Sequence, residues 1–366
     1  MARKMKRLNY IFLFVAVLLS GCSKDIVNPD DEQIVLPTRP YIYLDAGIST
    51  RAALVGGTTL DRNFSVLGYT YNFNNNWSTY RVTAKPNVFD NVPQRVTHTN
   101  GNYTYSPIKE WQGGKYTFFA FYPPQGVTSS GANVEGTPYL TYAPDFNNTA
   151  EHSDVMTAMF EDTSLSSSPY VYFDFYHRLS AVDVVAMNFY EHSYDAPNNT
   201  VITEKVTIDI VDLALQFENV QYKEAKIYLD RRIPSECTPA DAGTNPRYQI
   251  ISSQNGTGIY LDYNEDGTLR PITAQNNSSM IFIPQENSDL KVTTTVSYRK
   301  RRPNGQFIPD NQGNTVYTQT ITTPFKQSLK EGSRYYLQMT FTSSAVSISI
   351  ITSDEWDDIS VDYEFE

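Results

Sequence analysis

The chain has 366 residues, a formal net charge of −11, 13% aromatic and 19% charged residues. An acidic balance of this size excludes a nucleic-acid-binding surface, which needs clustered basic charge. Cys22 and Cys237 are the two cysteines, and neither has a neighbour at metal-ligand or redox spacing.

The first 22 residues read as a targeting segment. Arg3, Lys4, Lys6 and Arg7 form a basic start, and Leu8 to Leu19 form an apolar stretch too short for a comfortable membrane span. It closes on Leu19-Ser20-Gly21-Cys22, which reads as a bacterial lipobox. Cleavage before Cys22 and acylation of its sulfur and new amino group would give stable anchoring, since several chains hold where one does not. Residues 23–40, with "NPDDE" and "PTRP", read as a polar tether. The expectation is an exported, lipid-anchored bacterial protein in which Cys237 is a lone thiol.

Short runs rich in Val, Ile, Thr and Tyr, broken by Asn, Gly, Pro and Ser, predict an all-β protein. In "YIYLDAGIST" the side chains of Ile42, Leu44, Ala46 and Ile48 alternate onto one face of a first strand. "RAALVGGTTLDRN" follows as a loop centred on Gly56-Gly57, and "FSVLGYTYNF" is the second strand. "YTFFAFYPP" is aromatic throughout, a strand buried on both faces and ended by Pro123 and Pro124. "EHSDVMTAMFED" is the best short helix candidate, with Ser153 as its cap. "YVYFDFYHRLSAVDVVAMNFY" carries one or two strands, and the polar "EHSYDAPNNTVITEK" marks a domain junction. Eight further strands run from "KVTIDIVDLAL" to "AVSISIIT". The division is thus 41–195 and 196–366, with no βαβ alternation. The closing "WDDISVDYEFE" is a last strand, Ile359, Val361, Tyr363 and Phe365 on one face and Ser360, Asp362, Glu364 and Glu366 on the other.

No catalytic site assembles from the sequence. His98, His152, His177 and His192 are scattered, with no second ligand at metal spacing. No nucleophile elbow, phosphate loop or dinucleotide fingerprint occurs. "DYNEDGTLRPIT" starts like a calcium loop at Asp262, Asn264, Asp266 and Gly267, but Thr273 stands where a bidentate Glu is required, so it reads as a hairpin turn. "RKRRPNG" (299–305) is a basic patch, either a solvated hairpin end or a contact for an acidic neighbour. No cofactor or metal is expected.

Several stretches together resemble the fimbrillin family of Bacteroidetes, the fimbrial subunits of type V pili. The lipobox at Cys22 is followed by "ISTRA" at Ile48 to Ala52. "WQGGKYTFFAFYPP" resembles the family's Trp-turn-aromatic strand, and "DFYHRLSAVDV" its strand with a His before a small-residue step. "MIFIPQ", "LKEGSRYYLQMTF" and "SISIITSDEW" resemble its second-domain signatures, so the resemblance spans nearly the whole chain.

That resemblance implies two transthyretin-like β-sandwich domains in tandem, a lipoprotein delivered to the outer membrane and surface, and other fimbrial subunits as partners. It implies cleavage by an arginine-specific protease in the loop after the first strand, at Arg51 here. The strand of Ile42, Leu44, Ala46 and Ile48 would then leave, and a neighbour's C-terminal strand, Ile359, Val361, Tyr363 and Phe365 here, would fill the groove by β-strand addition. Arg62 is a rival cut site, while Arg39 precedes the strand and is blocked by Pro40. Three other readings stay open: a last strand paired within its own domain, a non-cleaved anchor subunit, and a lipid-anchored glycan-binding protein.

Overall fold

The computed structural model describes residues 41–48, 60, 62–90, 92–123, 128–129, 136–146, 152–165, 170–252, 258–273, 279–286 and 289–353. In chain order the described residues form β1 (Tyr43–Ile48), β2 (Phe64–Tyr71), β3 (Gln94–Thr99), β4 (Asn102–Thr104), β5 (Lys115–Tyr122), β6 (Thr128–Ser129), β7 (Tyr139–Tyr142), β8 (Met156–Thr163), β9 (Tyr170–His177) and β10 (Ser180–Phe189). A hairpin of β11 (Glu191–Asp195) and β12 (Val201–Lys205) leads into β13 (Thr207–Glu218), β14 (Tyr222–Tyr228), β15 (Glu236–Pro239), β16 (Arg247–Ile251), β17 (Ile259–Leu261) and β18 (Arg270–Pro271). β19 (Met280–Phe282), β20 (Lys291–Arg301), β21 (Tyr317–Pro324), β22 (Arg334–Thr342) and β23 (Val346–Ser353) complete the set. One helical turn, α1 (Trp77–Tyr80), is capped by Asn76, whose side chain accepts from the Thr79 N–H.

The all-β expectation holds. A seven-stranded sheet runs β1-β9-β8-β5-β2-β3-β4. Its central strands are buried on both faces, as the aromatic run around Phe119 predicts. Phe64, Val66, Phe118 and Ala120 point into the cluster shared with β1 and β9. Leu67, Tyr69, Phe119 and Phe121 point the other way, against Leu140 and Ile227 of the sheet β15-β14-β7-β6. A third cluster lies between the sheet of β10, β22 and β23 and the sheet of β13, β16, β20 and β21. Strand pairing crosses the 195/196 junction in both directions. β10 pairs in parallel with β22, and β14 pairs antiparallel with β7.

The link between the cores is the step from β9 to β10, within "DFYHRLSAVDV". His177 and Asp154 form a buried pair at 2.5 Å. Arg178, 2% exposed, donates from Nε to Glu331 at 2.8 Å, and from one terminal nitrogen to Thr157 Oγ1 at 3.0 Å and the Tyr228 carbonyl at 2.8 Å. One side chain thereby ties β8, the end of β14 and the turn before β22. A buried guanidinium without these acceptors would be strongly destabilising.

One local expectation is overturned, and two others gain detail. The helix expected at 151–162 is instead β8, which pairs with β5 from Tyr116↔Thr163 to Tyr122↔Met156. Met156, Ala158, Met159 and Glu161 favour helix locally, but the slot between β5 and β9 demands an extended strand, and tertiary pairing overrides propensity. Ser153 therefore caps nothing. The polar run at 191–205 holds the β11–β12 hairpin. The basic patch finds its acidic neighbours within the chain. Arg299 and Arg301 flank Asp209 at 4.0 and 3.9 Å, and Arg302 lies 3.8 Å from Glu204. In the calcium-like loop, Asn264 accepts from the Gly267 N–H and Asp266 from Thr268, so both oxygens serve the turn.

His152, just before β8, is held neutral by what surrounds it. Its Nδ1 accepts from the Ile281 N–H at 2.9 Å, while Nε2 lies 2.8 Å from the Asp145 carbonyl and donates to it. Burial pushes its pKa below the ordinary histidine value. The unfolded chain then binds more protons than the native state between that lowered value and about 6.5. Stability from this group is complete above about pH 6.5 and declines as pH falls below it, by at most about 1.4 kcal/mol per pH unit. Denaturant titrations at pH 7.5, 6.0 and 5.0 should show a steeper acid loss in the native chain than in His152→Gln.

Candidate functional site: the edge strand β1 and its groove

β1 alternates in the sequence, and the burial of its apolar positions follows. Ile42, Leu44 and Ala46 are 0%, 6% and 3% exposed, while Asp45 between them faces solvent. Ile48 closes the ladder opposite Phe175, and its side chain lies outside the described residues.

The groove that holds β1 is built from rings. Phe64 packs edge-on against Phe173 at 5.7 Å and Phe175 at 5.3 Å between centroids. Phe118, Val171 and Ala120 complete the same cluster. Edge-to-face rings add to simple area burial and fix the shape of the floor.

Backbone pairing places β1 at an edge. It lies at the end of the sheet order, and its ladder partner among the described residues is β9, in parallel, from Tyr43↔Tyr170 to Ile48↔Phe175. Its opposite side is tied at the start, where the Ile42 N–H donates to the Lys109 carbonyl at 2.9 Å and the Tyr105 hydroxyl to the Ile42 carbonyl at 2.8 Å. β9 in turn pairs with β8 only at Tyr176 and His177. From Tyr170 to Phe175, its ladder partner among the described residues is therefore β1. Ile42 and Leu44 each contribute roughly 1.5–3 kcal/mol by burial, and each net ladder bond about 0.5–1.5 kcal/mol. Parallel pairing is slightly weaker per residue than antiparallel. β1 is needed by β9 yet held more lightly than any central strand.

The outer face of the same two strands carries a row of tyrosines. Tyr43 and Tyr170 have ring centroids 5.3 Å apart, and Tyr170 and Tyr172 are 54% and 50% exposed. Asp45 sits beside Tyr172 in register. Burial first, then the charges of Asp45 and Asp174, push the Tyr172 hydroxyl up. Tyr176 donates to Asp174 at 2.9 Å and lies 3.5 Å beneath the Arg231 guanidinium. This row is invisible to alternation alone, which marks Tyr170 and Tyr172 as outward but not as a shared surface with Tyr43.

Of the site residues read from sequence, Ile42, Leu44 and Ala46 come together in one groove. Cys22, Arg51 and the terminal Ile359, Val361, Tyr363 and Phe365 lie outside the described residues. Arg51 falls in the segment between Ile48 and Leu60. Leu60 is buried, and its carbonyl accepts from the Tyr103 hydroxyl at 2.6 Å. The rival Arg62 is exposed, and its guanidinium donates to the Tyr122 hydroxyl at 2.7 Å. The last described strand, β23, pairs antiparallel with β22 at the edge of its sheet and ends at Ser353. Among the described residues no three His, Cys, Asp or Glu side chains gather as a metal site. No helix among them is long and apolar enough to cross a membrane.

Comparison with known proteins assigns this architecture to a family. The fimbrillin-like family matches residues 50–356, and the chain belongs to it. Its fold is similar to that of a fimbrial protein from Bacteroides vulgatus ATCC 8482, at 18% identity and TM-score 0.59, over 87% of this chain and 99% of that one. A putative cell adhesion protein from Bacteroides uniformis ATCC 8492 aligns at 15% identity and TM-score 0.45, over 87% of this chain and 100% of that one. No curated protein matches the sequence.

The groove geometry sets an asymmetric expectation for stability. Leu44→Ala removes a side chain from the ring-lined floor and should cost about 2–5 kcal/mol, whereas Asp45→Ala, exposed, should stay within about 0.5 kcal/mol. Urea denaturation of both variants checks the difference.

Proposed function

We propose that the protein is a structural subunit of a surface fimbria, assembled by replacing β1 with the C-terminal strand of a neighbouring subunit. The observation that carries this reading is β1 itself: an apolar, ring-seated strand at a sheet edge, on which most of the β9 ladder depends. Arg51 follows it by three residues (51 − 48), so one cut would release the strand. The segment after β23 carries a matching alternation at Ile359, Val361, Tyr363 and Phe365.

In this reading Cys22 holds the precursor to the outer membrane through its acyl chains until an arginine-specific protease cuts at Arg51. Lipid, tether and β1 leave together. This makes the chain a stalk or tip subunit, since an anchor would keep its lipid, and the fimbria serves adhesion. No catalytic step is assigned. Energetics allow exchange without being lavish. Four inward side chains at roughly 1.5–3 kcal/mol each face an association cost of roughly 4–15 kcal/mol, so the ladder bonds that β9 regains must contribute.

Arg51→Ala should abolish polymers and leave Tyr41 to Thr50 attached, read by gel ladder and N-terminal sequencing of surface protein. Val361→Asp should also abolish polymers while shifting the monomer's Tm by no more than a few degrees, because the charge enters a dry groove only in the polymer. Normal polymers from both variants would overturn strand replacement.

A second reading is favoured by one observation, the exposed tyrosine row on β9. Stacking of sugar rings on Tyr170 and Tyr172, with Asp45 and Asp174 accepting hydroxyl hydrogen bonds, would make that face a glycan contact. Glycan-array binding by the native protein, lost by at least about tenfold in Tyr170→Ala/Tyr172→Ala, supports it. Absence of binding by the native protein removes it.

A further inference from the structure

We infer that the strand replacing β1 runs antiparallel to β9, opposite in direction to the parallel strand it displaces. The inference rests on the strand-replacement reading above and adds its direction and register.

The vacated inward positions are Ile42, Leu44, Ala46 and Ile48, and the incoming inward residues are Ile359, Val361, Tyr363 and Phe365. Both sets repeat every second residue, so matching all inward positions leaves one parallel and one antiparallel register. In the parallel register Tyr363 falls on Ala46. That position is 3% exposed, paired in register with Phe173 and enclosed by the ring cluster. A phenol where a methyl stood overfills a closed site, and its hydroxyl would need a partner there. In the antiparallel register Val361 falls on Ala46, Phe365 on Ile42 and Ile359 on Ile48. Tyr363 then replaces Leu44, the most exposed of the three described inward positions at 6%. Valine exceeds alanine by two methyl groups, a far smaller strain.

The outer face votes independently. Gly47 is buried and pairs in register with Asp174. The parallel register places Glu364 at Gly47, setting one carboxylate against another across the ladder. The antiparallel register places Ser360 there instead. Asp362 falls on Asp45 in either direction, so it does not discriminate. Antiparallel pairing is also the slightly stronger ladder. Inner volume, outer charge and backbone pairing agree.

The test uses polymers formed on cells by the full chain in a Cys237→Ser background, with cysteine pairs on the outer face. Ser360→Cys with Asp174→Cys should give a disulfide-linked ladder on oxidation, and Ser360→Cys with Tyr170→Cys should not. Crosslinking only through Tyr170→Cys would overturn the antiparallel direction while leaving strand replacement intact. Polymers that crosslink through neither pair, nor through Glu364→Cys with either partner, would overturn strand replacement at this groove and the inference with it. Volume gives a second measurement that needs no crosslink. Val361→Tyr should lower polymer yield by at least about tenfold, while Tyr363→Val should stay within about threefold. The reverse order of these two yields overturns the antiparallel direction.

Discussion

A strand edge that cannot be left bare governs this protein. β9 carries Val171, Phe173 and Phe175 into a buried cluster, yet over most of its length β1 is its ladder partner among the described residues. An exposed edge with an aromatic inner face is a template for any extended segment of suitable alternation. The fold answers that liability with a six-residue strand whose own hold is one parallel ladder and a few anchoring bonds at Ile42. Covering the edge is obligatory, and in the strand-replacement proposal β1 and the incoming strand do so in turn.

The rest of the structure keeps the edge in place while β1 is comparatively free. Immediately after β9 the chain passes through His177 and Arg178, both buried and both paired with acids. It then enters β10, which the second core grips between β22, β19 and β18. Arg178 reaches Thr157 of β8 and the Tyr228 carbonyl at the end of β14. The C-terminal end of β9 is thus nailed at the junction of three sheets, while its N-terminal end relies on β1. Rigidity at one end and dependence at the other would suit the proposed replacement, in which the groove keeps its shape while its occupant changes.

Legibility in the sequence divides along physical lines. Alternation reports which face of a strand is apolar, so Ile42, Leu44 and Ala46 and the doubly buried run around Phe119 were readable. It does not report which strand lies alongside. Nothing in "YIYLDAGIST" indicates a parallel partner more than a hundred residues away at Tyr170. Nothing in "EAKIYLD" indicates that β14 crosses the expected junction to pair with β7. β8 was misread because its Met, Ala and Glu residues are good helix formers and its apolar positions fit either period over so short a run. The β11–β12 hairpin does not show in the sequence. It buries little, with Val201 63% exposed, so its strands leave no apolar signature. The Asp154–His177 pair is also a product of tertiary assembly, since 23 residues (177 − 154) separate two side chains that meet only once β8 lies beside β9.

A strand that leaves takes both of its faces with it, and this links the two functional readings. Tyr43 contributes a ring to the outer row and Asp45 a carboxylate beside Tyr172. Replacement of β1 would remove both. Asp362 would restore the carboxylate at the Asp45 position in either strand direction, because it is the midpoint of the incoming segment, as Asp45 is of the outgoing one. The Tyr43 ring would not return, since Ser360 or Glu364 would stand there. Tyr170 would lose its tilted ring neighbour and gain exposure, and the row would shorten to β9 alone. A glycan contact that needs the Tyr43–Tyr170 pair would therefore belong to the precursor, whereas one that needs only Tyr170 and Tyr172 would persist in the fimbria. The two proposed functions share two strands, so a change on either face of β1 would bear on both.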